Sequence, residues 1–235
     1  MNVKALIRRV NHTLKLHKLF PEHSRILVAC SGGPDSMALL HLLQDIAAHR
    51  HTKYKLGIAI VDHSIRPESK DEVLWLRNQV DALGVSFYTT TFDVPTLSKD
   101  LKLSEETVGR QVRYQWLNEI AQSEGYDYIA VAHHKDDQAE SILAHLIRGT
   151  GLNGLTGMAV VSKDYDIPVI RPLLDVTKAE LLAYLADRKL TYCIDSTNDD
   201  IRYQRNRIRH CIIPELEAIN PNVVDAIARL GSSVS

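Results

Sequence analysis

The chain turns from an apolar run into a helical one through Cys30-Ser31-Gly32-Gly33-Pro34-Asp35-Ser36. The apolar run covers residues 26–29, and the helical run starts at Met37. A strand, a glycine loop and a helix in this order build an anion site, because glycines let the backbone approach a ligand and the first N–H groups of a helix point at it. Pyrophosphate is the natural occupant, although no Gly-Lys-Ser/Thr follows as it would in a Walker A loop.

Asp35 stands where the anion would bind, and two like charges there repel each other. A bridging Mg²⁺ would resolve this repulsion, so we predict a magnesium ion at Asp35. The alternative is a purely structural glycine turn in which Asp35 only complements the helix dipole. Ser-Gly-Gly-x-Asp-Ser between a buried strand and a helix is more specific than a bare Gly-Gly pair, and it favours the pyrophosphate loop.

Five apolar strand candidates alternate with helical patterns, at residues 26–29, 56–61, 85–91, 128–132 and 167–170. This alternation predicts an α/β fold, a doubly wound and mainly parallel five-stranded sheet with a C-terminal helical extension. Ligands of such sheets bind beyond the carboxyl ends of the strands. The glycine loop, Asp62-His63 and residues 133–137 all follow a predicted strand, so we expect them to converge.

Composition limits the class of protein. The 235 residues are 45% hydrophobic and 24% charged, as in an ordinary globular domain. With a net charge of −1, contact with nucleic acid would need a local basic patch. Three cysteines without a Cys-x-x-Cys pair argue against zinc, an iron–sulfur cluster and disulfides, and they fit the cytoplasm. The apolar runs are shorter than a transmembrane segment, so we expect no membrane partner.

An acidic helix start follows the fourth predicted strand, as His133-His134-Lys135-Asp136-Asp137-Gln138-Ala139-Glu140. Glu140 is four residues from Asp136 and three from Asp137, which brings the acids onto adjacent faces of one helical end. Acids are favourable near a helix N-terminus, and these could bind Mg²⁺ or an ammonium group. The alternative, a solvated acidic helix start, is less attractive at the end of a strand.

Further segments carry weaker signals. His63 could line a nucleotide or be an ordinary loop histidine. Arg113 and Tyr114 share a predicted helix face that could also be a solvated, salt-bridged surface. Residues 148–158 are rich in glycine and suggest a mobile lid, an RNA-facing loop or a flexible connection. A basic segment near the C-terminus contains Arg202, Arg205, Arg207 and Arg209. Arginine is well suited to bind phosphate, here either of RNA or of ATP. The alternative is an exposed basic segment with no partner.

Together these segments resemble the tRNA(Ile)-lysidine synthetases of the PP-loop, or N-type ATP pyrophosphatase, superfamily. The resemblance spans roughly residues 25–222. It rests on the glycine loop, Asp62-His63-x-x-Arg66, the acidic helix start with the preceding Ala132, residues 148–158, Arg171-Pro172-Leu173-Leu174 and Arg205-Asn206-x-Ile208-Arg209. It implies an adenine nucleotide alpha hydrolase-like fold.

The resemblance also implies the reaction. With ATP and Mg²⁺, such a ligase joins free L-lysine to C2 of the wobble cytidine of a tRNA(Ile) with a CAU anticodon. The cytosine is first adenylated with release of pyrophosphate, and AMP leaves when the lysine amine attacks. We therefore expect ATP, lysine and this tRNA as partners, and a homodimer is left open.

The same resemblance distributes roles over the residues. The expected catalytic residues are Asp35, Asp137, Arg205 and His133. ATP and pyrophosphate are expected at Ser31, Gly32, Gly33, Pro34, Asp35, Ser36 and His63. Lysine is expected at Arg113, Asp137 and Glu140, and tRNA at Arg148, Arg202, Arg207 and Arg209.

We divide the chain into an N-terminal helix packing on the core (residues 1–24), a PP-loop ATP-binding α/β domain (25–200) and a basic helical extension (201–235). The extension is expected to lead to a C-terminal region absent from this chain. The basic N-terminal residues could also be a mitochondrial presequence, but their helical spacing runs straight into the first strand.

Two other functions stay open. One is another PP-loop enzyme, but a thiolase of the two-thiocytidine type should carry Cys-x-x-Cys, and a glutamine-dependent synthetase should bring an amidotransferase segment. The other is a nucleotide-binding module without catalysis, which would be saturated by ATP without turning it over. Stimulation of ATP turnover by tRNA would separate an enzyme from such a module.

Overall fold

A six-stranded sheet forms the centre of the molecule. The computed structural model describes residues 3–49, 54–64, 69–194 and 204–234. The strands run in the order β3-β2-β1-β4-β6-β5. Parallel pairing joins all neighbours except the last two, because β5 is antiparallel to β6. The strands are β1 (Arg25–Ala29), β2 (Lys55–Asp62), β3 (Ser86–Thr91), β4 (Tyr128–Ala130), β5 (Val161–Ser162) and β6 (Val169–Ile170).

The predicted α/β fold with a mainly parallel sheet is confirmed, with six strands in place of five. The additional strand, β5, has two residues, which is too short for any periodic pattern. The strand order reverses at β1, since β2 lies on one side of it and β4 on the other. Ligands of open α/β sheets bind in the crevice at such a reversal, so the fold places a site beyond Ala29.

Alternating side chains of β1 enter two separate cores. Ile26 and Val28 join a large cluster on one face, and Leu27 joins a smaller cluster on the other face. Both faces of the sheet are therefore covered by helices, as a parallel sheet requires. The helices are α1 (Val3–Leu16), α2 (Pro34–His49), α3 (Ser69–Asp81), α4 (Val94–Leu101), α5 (Glu105–Ser123), α6 (Lys135–Ile147), α7 (Leu152–Leu155), α8 (Lys178–Asp187), α9 (Gln204–Arg207), α10 (Ile213–Ile219) and α11 (Val223–Val234).

Two terminal helices are attached to the sheet domain by their buried faces. In α1, Leu6, Val10 and Leu14 are buried in the larger core. At the other end, α9 continues through a π-helical turn, Ile208–Ile212, into α10, and α11 packs against α6. The Lys135 Nζ atom lies 2.6 Å from Asp225 Oδ1, so an ion pair joins α6 to α11. Within the described residues, no helix has the length and hydropathy to cross a membrane.

Candidate active site

The glycine loop between β1 and α2 folds around the hydroxyl of Ser36. The Ser31 N–H donates to Ser36 Oγ at 3.2 Å, and the Ser36 hydroxyl donates to the Gly33 carbonyl at 2.9 Å. Gly32 has a φ of +80°, which favours glycine over other residues. Hydrogen bonds of the Ser36 side chain therefore fix the conformation of the loop.

A segment distant in the sequence supports the outer side of this loop. The Cys193 N–H donates to the Gly32 carbonyl at 2.9 Å. A Cβ at Gly32 would meet Cys193 Sγ and the Trp75 ring at 3.7 Å, an ordinary contact distance. Glycine is therefore required at this position by backbone conformation rather than by crowding.

The imidazole of His134 lies close to the carboxylates of Asp35, Asp136 and Asp137. Its Nε2 lies 3.7 Å from Asp35 Oδ2 and 3.4 Å from Asp137 Oδ2, and its Nδ1 lies 3.4 Å from Asp136 Oδ2. Burial alone lowers the pKa of this imidazole, but the carboxylates raise it to about 9. At neutral pH His134 is therefore a buried cation that compensates clustered negative charge.

Lys178, in the first turn of α8, also contacts Asp35. Its Nζ donates to both carboxylate oxygens of Asp35, at 2.6 and 2.7 Å. Its backbone N–H donates to Asp136 Oδ2 at 2.9 Å, which fixes the start of α8 on α6. Burial raises the pKa of Asp35, but His134 and Lys178 lower it below its usual value. The sequence does not single out Lys178 for this contact, apart from its place just after Thr177, the N-cap of α8.

The predicted lysine-binding carboxylates are paired with arginines of the chain itself. Arg205 donates through its Nε atom to Glu140 and through a terminal nitrogen to Asp137, both at 2.8 Å. Arg209 donates to Glu140 at 2.6 Å and to Asp137 at 3.2 Å. Glu140 is 1% exposed, and a carboxylate so deeply buried needs a cationic partner. The prediction of Arg209 as a tRNA contact stays untested, but its guanidinium lies inside this cluster.

One pocket of about 510 Å³ unites most of the predicted site residues. Its apolar wall includes Ala59, Ile60, Val61 and Leu117. The polar lining includes Ser31, Asp35, Ser36, His63, Arg113, His133, Asp137, Arg205 and Arg209. The carboxyl ends of β1, β2 and β4 thus converge on one space, as the strand pattern predicts.

Other predicted residues lie elsewhere. Glu140 lies behind Asp137 and is not part of the pocket lining. Arg148 and Arg207 have exposed side chains outside the lining. Arg202 and Arg66 lie outside the described residues.

Two histidines in the pocket are neutral at pH 7, unlike His134. Burial, together with Arg205, Arg171 and Arg110, lowers the pKa of His133 to about 3 against the opposing effect of Asp137. Burial and Arg113 lower the pKa of His63 to about 4. The Nδ1 atoms of both rings are buried without a hydrogen-bond partner among the described residues. Both rings can therefore offer a neutral donor or acceptor to a ligand.

The glycine-rich segment 148–158 is tied to α6. The Gln138 side-chain amide donates to the Thr156 and Met158 carbonyls at 3.2 and 3.1 Å, and it accepts from the Met158 N–H at 2.7 Å. A Cβ at Gly231 of α11 would come within 3.0 Å of the Thr156 carbonyl, so α11 closes over the same segment. These contacts argue against a flexible connection.

The fold is similar to the folds of solved structures. The U34-tRNA thiolase NcsA from Methanococcus maripaludis, solved with its [4Fe-4S] cluster, superposes with a TM-score of 0.80 at 20% identity. The superposition covers 99% of this chain and 78% of that chain. An NH₃-dependent NAD synthetase from Campylobacter jejuni superposes with a TM-score of 0.53 at 12% identity, over 99% of this chain and 94% of that one. These likenesses concern the fold alone.

Sequence comparisons are more specific. The chain is 40% identical to the tRNA(Ile)-lysidine synthase of Thermosipho africanus, over 98% of this chain and 52% of that protein. It is 38% identical to the enzyme of the same name from Porphyromonas gingivalis, over 96% of this chain and 48% of that protein. The chain thus spans about half the length of these curated relatives. A family model described as the PP-loop domain matches residues 4–216. With its glycine loop, its sheet order and this match over most of its length, the chain belongs to the PP-loop domain family.

Proposed function

We propose that the protein uses ATP to join free lysine to C2 of the wobble cytidine of a tRNA(Ile) with a CAU anticodon, releasing AMP and pyrophosphate. One observation carries this proposal: a single pocket brings the glycine loop, the Asp137 carboxylate and the Arg205 guanidinium together. An adenylating ligase needs these three groups for the leaving pyrophosphate, the amine nucleophile and the charge at the α-phosphate. Sequence similarity to lysidine synthases over nearly the whole chain supports the choice of substrate.

ATP would enter with its phosphates at the glycine loop. The backbone N–H groups at the start of α2 and the Ser31 hydroxyl would bind pyrophosphate. The adenine would lie against the apolar wall formed by the end of β2, beside the neutral ring of His63. This placement uses the crevice at the β1 strand-order reversal.

Asp35 fits a magnesium ion better than it fits most other metals. The described residues contain no group of three or more His, Cys, Asp or Glu side chains that could hold a metal ion. Mg²⁺ does not require such a group, because it commonly binds one or two carboxylates together with substrate phosphates and water. When bound, Mg²⁺ would neutralise charge on the phosphates.

In the first step, the cytosine O2 attacks the α-phosphorus and the bond to the β-phosphate oxygen breaks. Arg205 would stabilise the negative charge that accumulates on the α-phosphate, and the glycine loop would bind the departing pyrophosphate. His133, being neutral, would donate or accept a hydrogen bond at the base or the phosphate. In the second step, the lysine amine attacks C2 after losing a proton, and AMP leaves with the former O2.

Lysine would bind through the charges at its two ends. Asp137 and Glu140 would hold the side-chain ammonium, and Arg113 would meet the carboxylate. Arg205 and Arg209 now neutralise both acids, so at least one guanidinium must move as lysine binds. A shift of Arg205 toward the α-phosphate would free acid oxygens for lysine once ATP is present.

The tRNA would present the cytidine from its anticodon loop. Bases in single-stranded loops can be splayed into a pocket without opening a duplex. The exposed Arg148 and Arg207 would contact the backbone together with Arg202, and Arg209 would take part once it leaves Glu140. Action on tRNA would also place the protein in the cytoplasm. The proposed division at residues 24 and 200 and the homodimer stay predictions.

Thiolation of tRNA is a second candidate because of the likeness to NcsA. The cysteines of this chain do not support it. Cys30 is buried, Cys193 is half-buried, Cys211 is exposed, and no metal-binding group forms within the described residues.

A labelling experiment tests the proposed function. The protein is incubated with ATP, Mg²⁺, radiolabelled lysine and an unmodified tRNA(Ile) transcript bearing CAU, with a CAU-bearing methionine tRNA as control. We expect label only in the isoleucine tRNA, with release of AMP and pyrophosphate. ATP binding without incorporation would contradict the proposal and favour a binding module. Alanine at Asp35, Asp137 or Arg205 should abolish incorporation, and circular dichroism would verify that each variant is folded.

A further inference from the structure

Positive charge is concentrated around the first helix of the chain. Residues 1–21 contain five Lys and Arg and no Asp or Glu, which leaves 23 of the 28 Lys and Arg against all 29 Asp and Glu in residues 22–235. A net charge of +5 is therefore set against −6 over the rest of the protein. We propose that the exposed face of α1 binds phosphates of the tRNA backbone outside the pocket. This inference rests on the proposed action on tRNA and adds a second contact surface to it.

The exposed cations of α1 form one stripe. Lys4, Arg8, His12 and Lys15 have exposed side chains, and their spacing of four, four and three residues places them on one face of the helix. We call these four residues the α1 stripe, and it is about 16 Å long at 1.5 Å per residue. Within the described residues, Lys4, Arg8 and Lys15 form no ion pair. Their charges are therefore available to an external anion.

The opposite face of α1 is occupied. A basic amphipathic helix can bind a membrane, but it does so by burying its apolar face in the lipid. In α1 the apolar side chains of Leu6, Val10 and Leu14 are buried in the larger core of the protein. A partner can therefore reach only the polar side of the helix. Regularly spaced cations without accessible apolar surface suit a polyanion such as RNA, which offers successive phosphates.

The contact of α1 with α8 sets the position of the stripe relative to the pocket. Arg9, which lies next to the stripe, pairs with Glu180 of α8 at 2.5 Å. In the first turn of the same helix, Lys178 contacts Asp35, and Asp35 lines the pocket. The stripe thus belongs to a helix whose neighbour extends to the rim of the pocket. The loop of an anticodon arm can occupy the pocket while phosphates of its stem contact α1.

Filter binding by the full chain tests the inference with two RNAs, the tRNA(Ile) transcript bearing CAU and its single-stranded anticodon loop alone. The test variant combines Lys4→Gln, Arg8→Gln and Lys15→Gln. We expect it to reduce the slope of log K against log salt for the tRNA by about 2 to 3, at about 0.7–0.9 for each phosphate contact. The loop alone does not extend to α1, so it should bind the variant and the wild type equally.

The matched control makes the same change of net charge on other elements. It combines Lys70→Gln, Lys99→Gln and Lys163→Gln, which alter exposed lysines of α3, α4 and the β5–β6 turn. This variant should keep the wild-type slope for the tRNA. Urea unfolding and a calorimetric titration of ATP verify that both triple variants keep their fold and their pocket. A wild-type slope in the α1 variant, or an equal loss in both variants, would overturn the inference.

Vesicles of phosphatidylcholine and phosphatidylserine test the competing partner. If the α1 variant lost binding to these vesicles but kept the wild-type slope for the tRNA, the stripe would serve a membrane and the inference would be wrong.

The failure of the two proposals can be told apart. Wild-type protein that does not bind the tRNA would refute the proposed function and this inference together. Wild-type protein that incorporates lysine into the tRNA, with a wild-type slope in the α1 variant, would refute only the role of the stripe.

Discussion

Histidines within one small region hold different charges because their surroundings differ. His134 is protonated among carboxylates, with a pKa of about 9. His63 and His133 face arginines and apolar atoms, and their pKa values fall to about 4 and about 3. The pocket thus keeps its positive charge on arginines and presents two neutral imidazole rings.

The neutral histidines predict a decline in stability toward acid. Their pKa values are lowered in the folded state, so their contribution is present above pH 6.5 and is lost as the pH falls below it. Between pH 6.5 and 5 the two groups should together lower the free energy of unfolding by about 3 kcal/mol. His134 has a raised pKa and is protonated in the folded state throughout this range, so its unfolded-state titration opposes the decline, by only about 0.4 kcal/mol. His63→Asn should remove about half of the decline in urea titrations.

The matched control for this measurement is His17→Asn, which changes an exposed histidine just beyond α1. This variant should keep the wild-type slope. An unchanged slope in His63→Asn would show that folding does not lower the pKa of His63.

The two loop glycines should differ in their tolerance of alanine. Gly32 has a φ of +80°, and a side chain there costs about 1–2 kcal/mol. At Gly33 a Cβ would meet only Ser31 Oγ at 3.4 Å, so the fold should accept it. We expect urea unfolding to show a loss of that size for Gly32→Ala and a much smaller one for Gly33→Ala. Equal losses would mean that crowding rather than backbone conformation governs the loop.

At this scale the sequence predicted which residues meet but not how they pair. Asp35, His63, His133 and Asp137 could be expected to converge, because each follows a predicted strand. Arg205 was assigned to the same site by the family resemblance. The contact of Lys178 with Asp35 depends on how α8 sits against α2, and a single sequence does not contain that information. A single sequence also does not reveal the charge of His134, which is protonated although its neighbour His133 is neutral.

At the scale of elements, guanidinium–carboxylate pairs join α6 to α9 and to the π-helical turn that follows it. Arg209→Met removes one cation from the buried Glu140, and the loss of a charged hydrogen bond should cost about 1–3 kcal/mol. A lysine ammonium can replace the missing charge. Lysine should therefore raise the melting temperature of Arg209→Met more than that of the wild type.

Two controls belong to this experiment. Norleucine, which lacks the side-chain ammonium, should raise neither melting temperature. Arg207→Met changes an exposed neighbour on the same helix and should respond to lysine as the wild type does. Equal lysine shifts in Arg209→Met and wild type would place the ammonium elsewhere.

Elements with a strong local pattern were predicted well from the sequence. Central strands such as β1 and β2 are apolar runs, and the observed bounds differ from the predicted ones by about one residue. The edge strand β5 exists only because Val161 and Ser162 meet β6, so tertiary pairing rather than local preference forms it. The π-helical turn at Ile208–Ile212 likewise has no local signal that we can name.

At the scale of the whole molecule, the net charge is −1 while arginines concentrate near one pocket. Binding of tRNA should therefore depend on local cations and weaken with salt. Substituting both exposed arginines, Arg148→Gln with Arg207→Gln, should reduce the slope of log K against log salt by about 1.5, at 0.7–0.9 for each phosphate contact. Filter binding over a range of salt concentrations measures it.

The control carries the same change of net charge away from the pocket. Lys163→Gln with Lys189→Gln alters two exposed lysines and should keep the wild-type slope. If both double variants reduced the slope of log K against log salt equally, RNA binding would depend on the net charge of the protein and not on Arg148 and Arg207.

The central place of β1 has a consequence for the synthesis of the protein. One edge of β1 pairs with β2, which is the next strand to be synthesised. The other edge pairs with β4, which begins only at Tyr128. A ribosome adding 5–20 residues per second needs roughly 5–20 s to travel from Ala29 to Tyr128. During that interval the nascent chain presents an unpaired, apolar strand edge of the kind that seeds aggregation. Chaperone supply and the speed of translation across residues 63–127 should therefore limit the yield of folded protein.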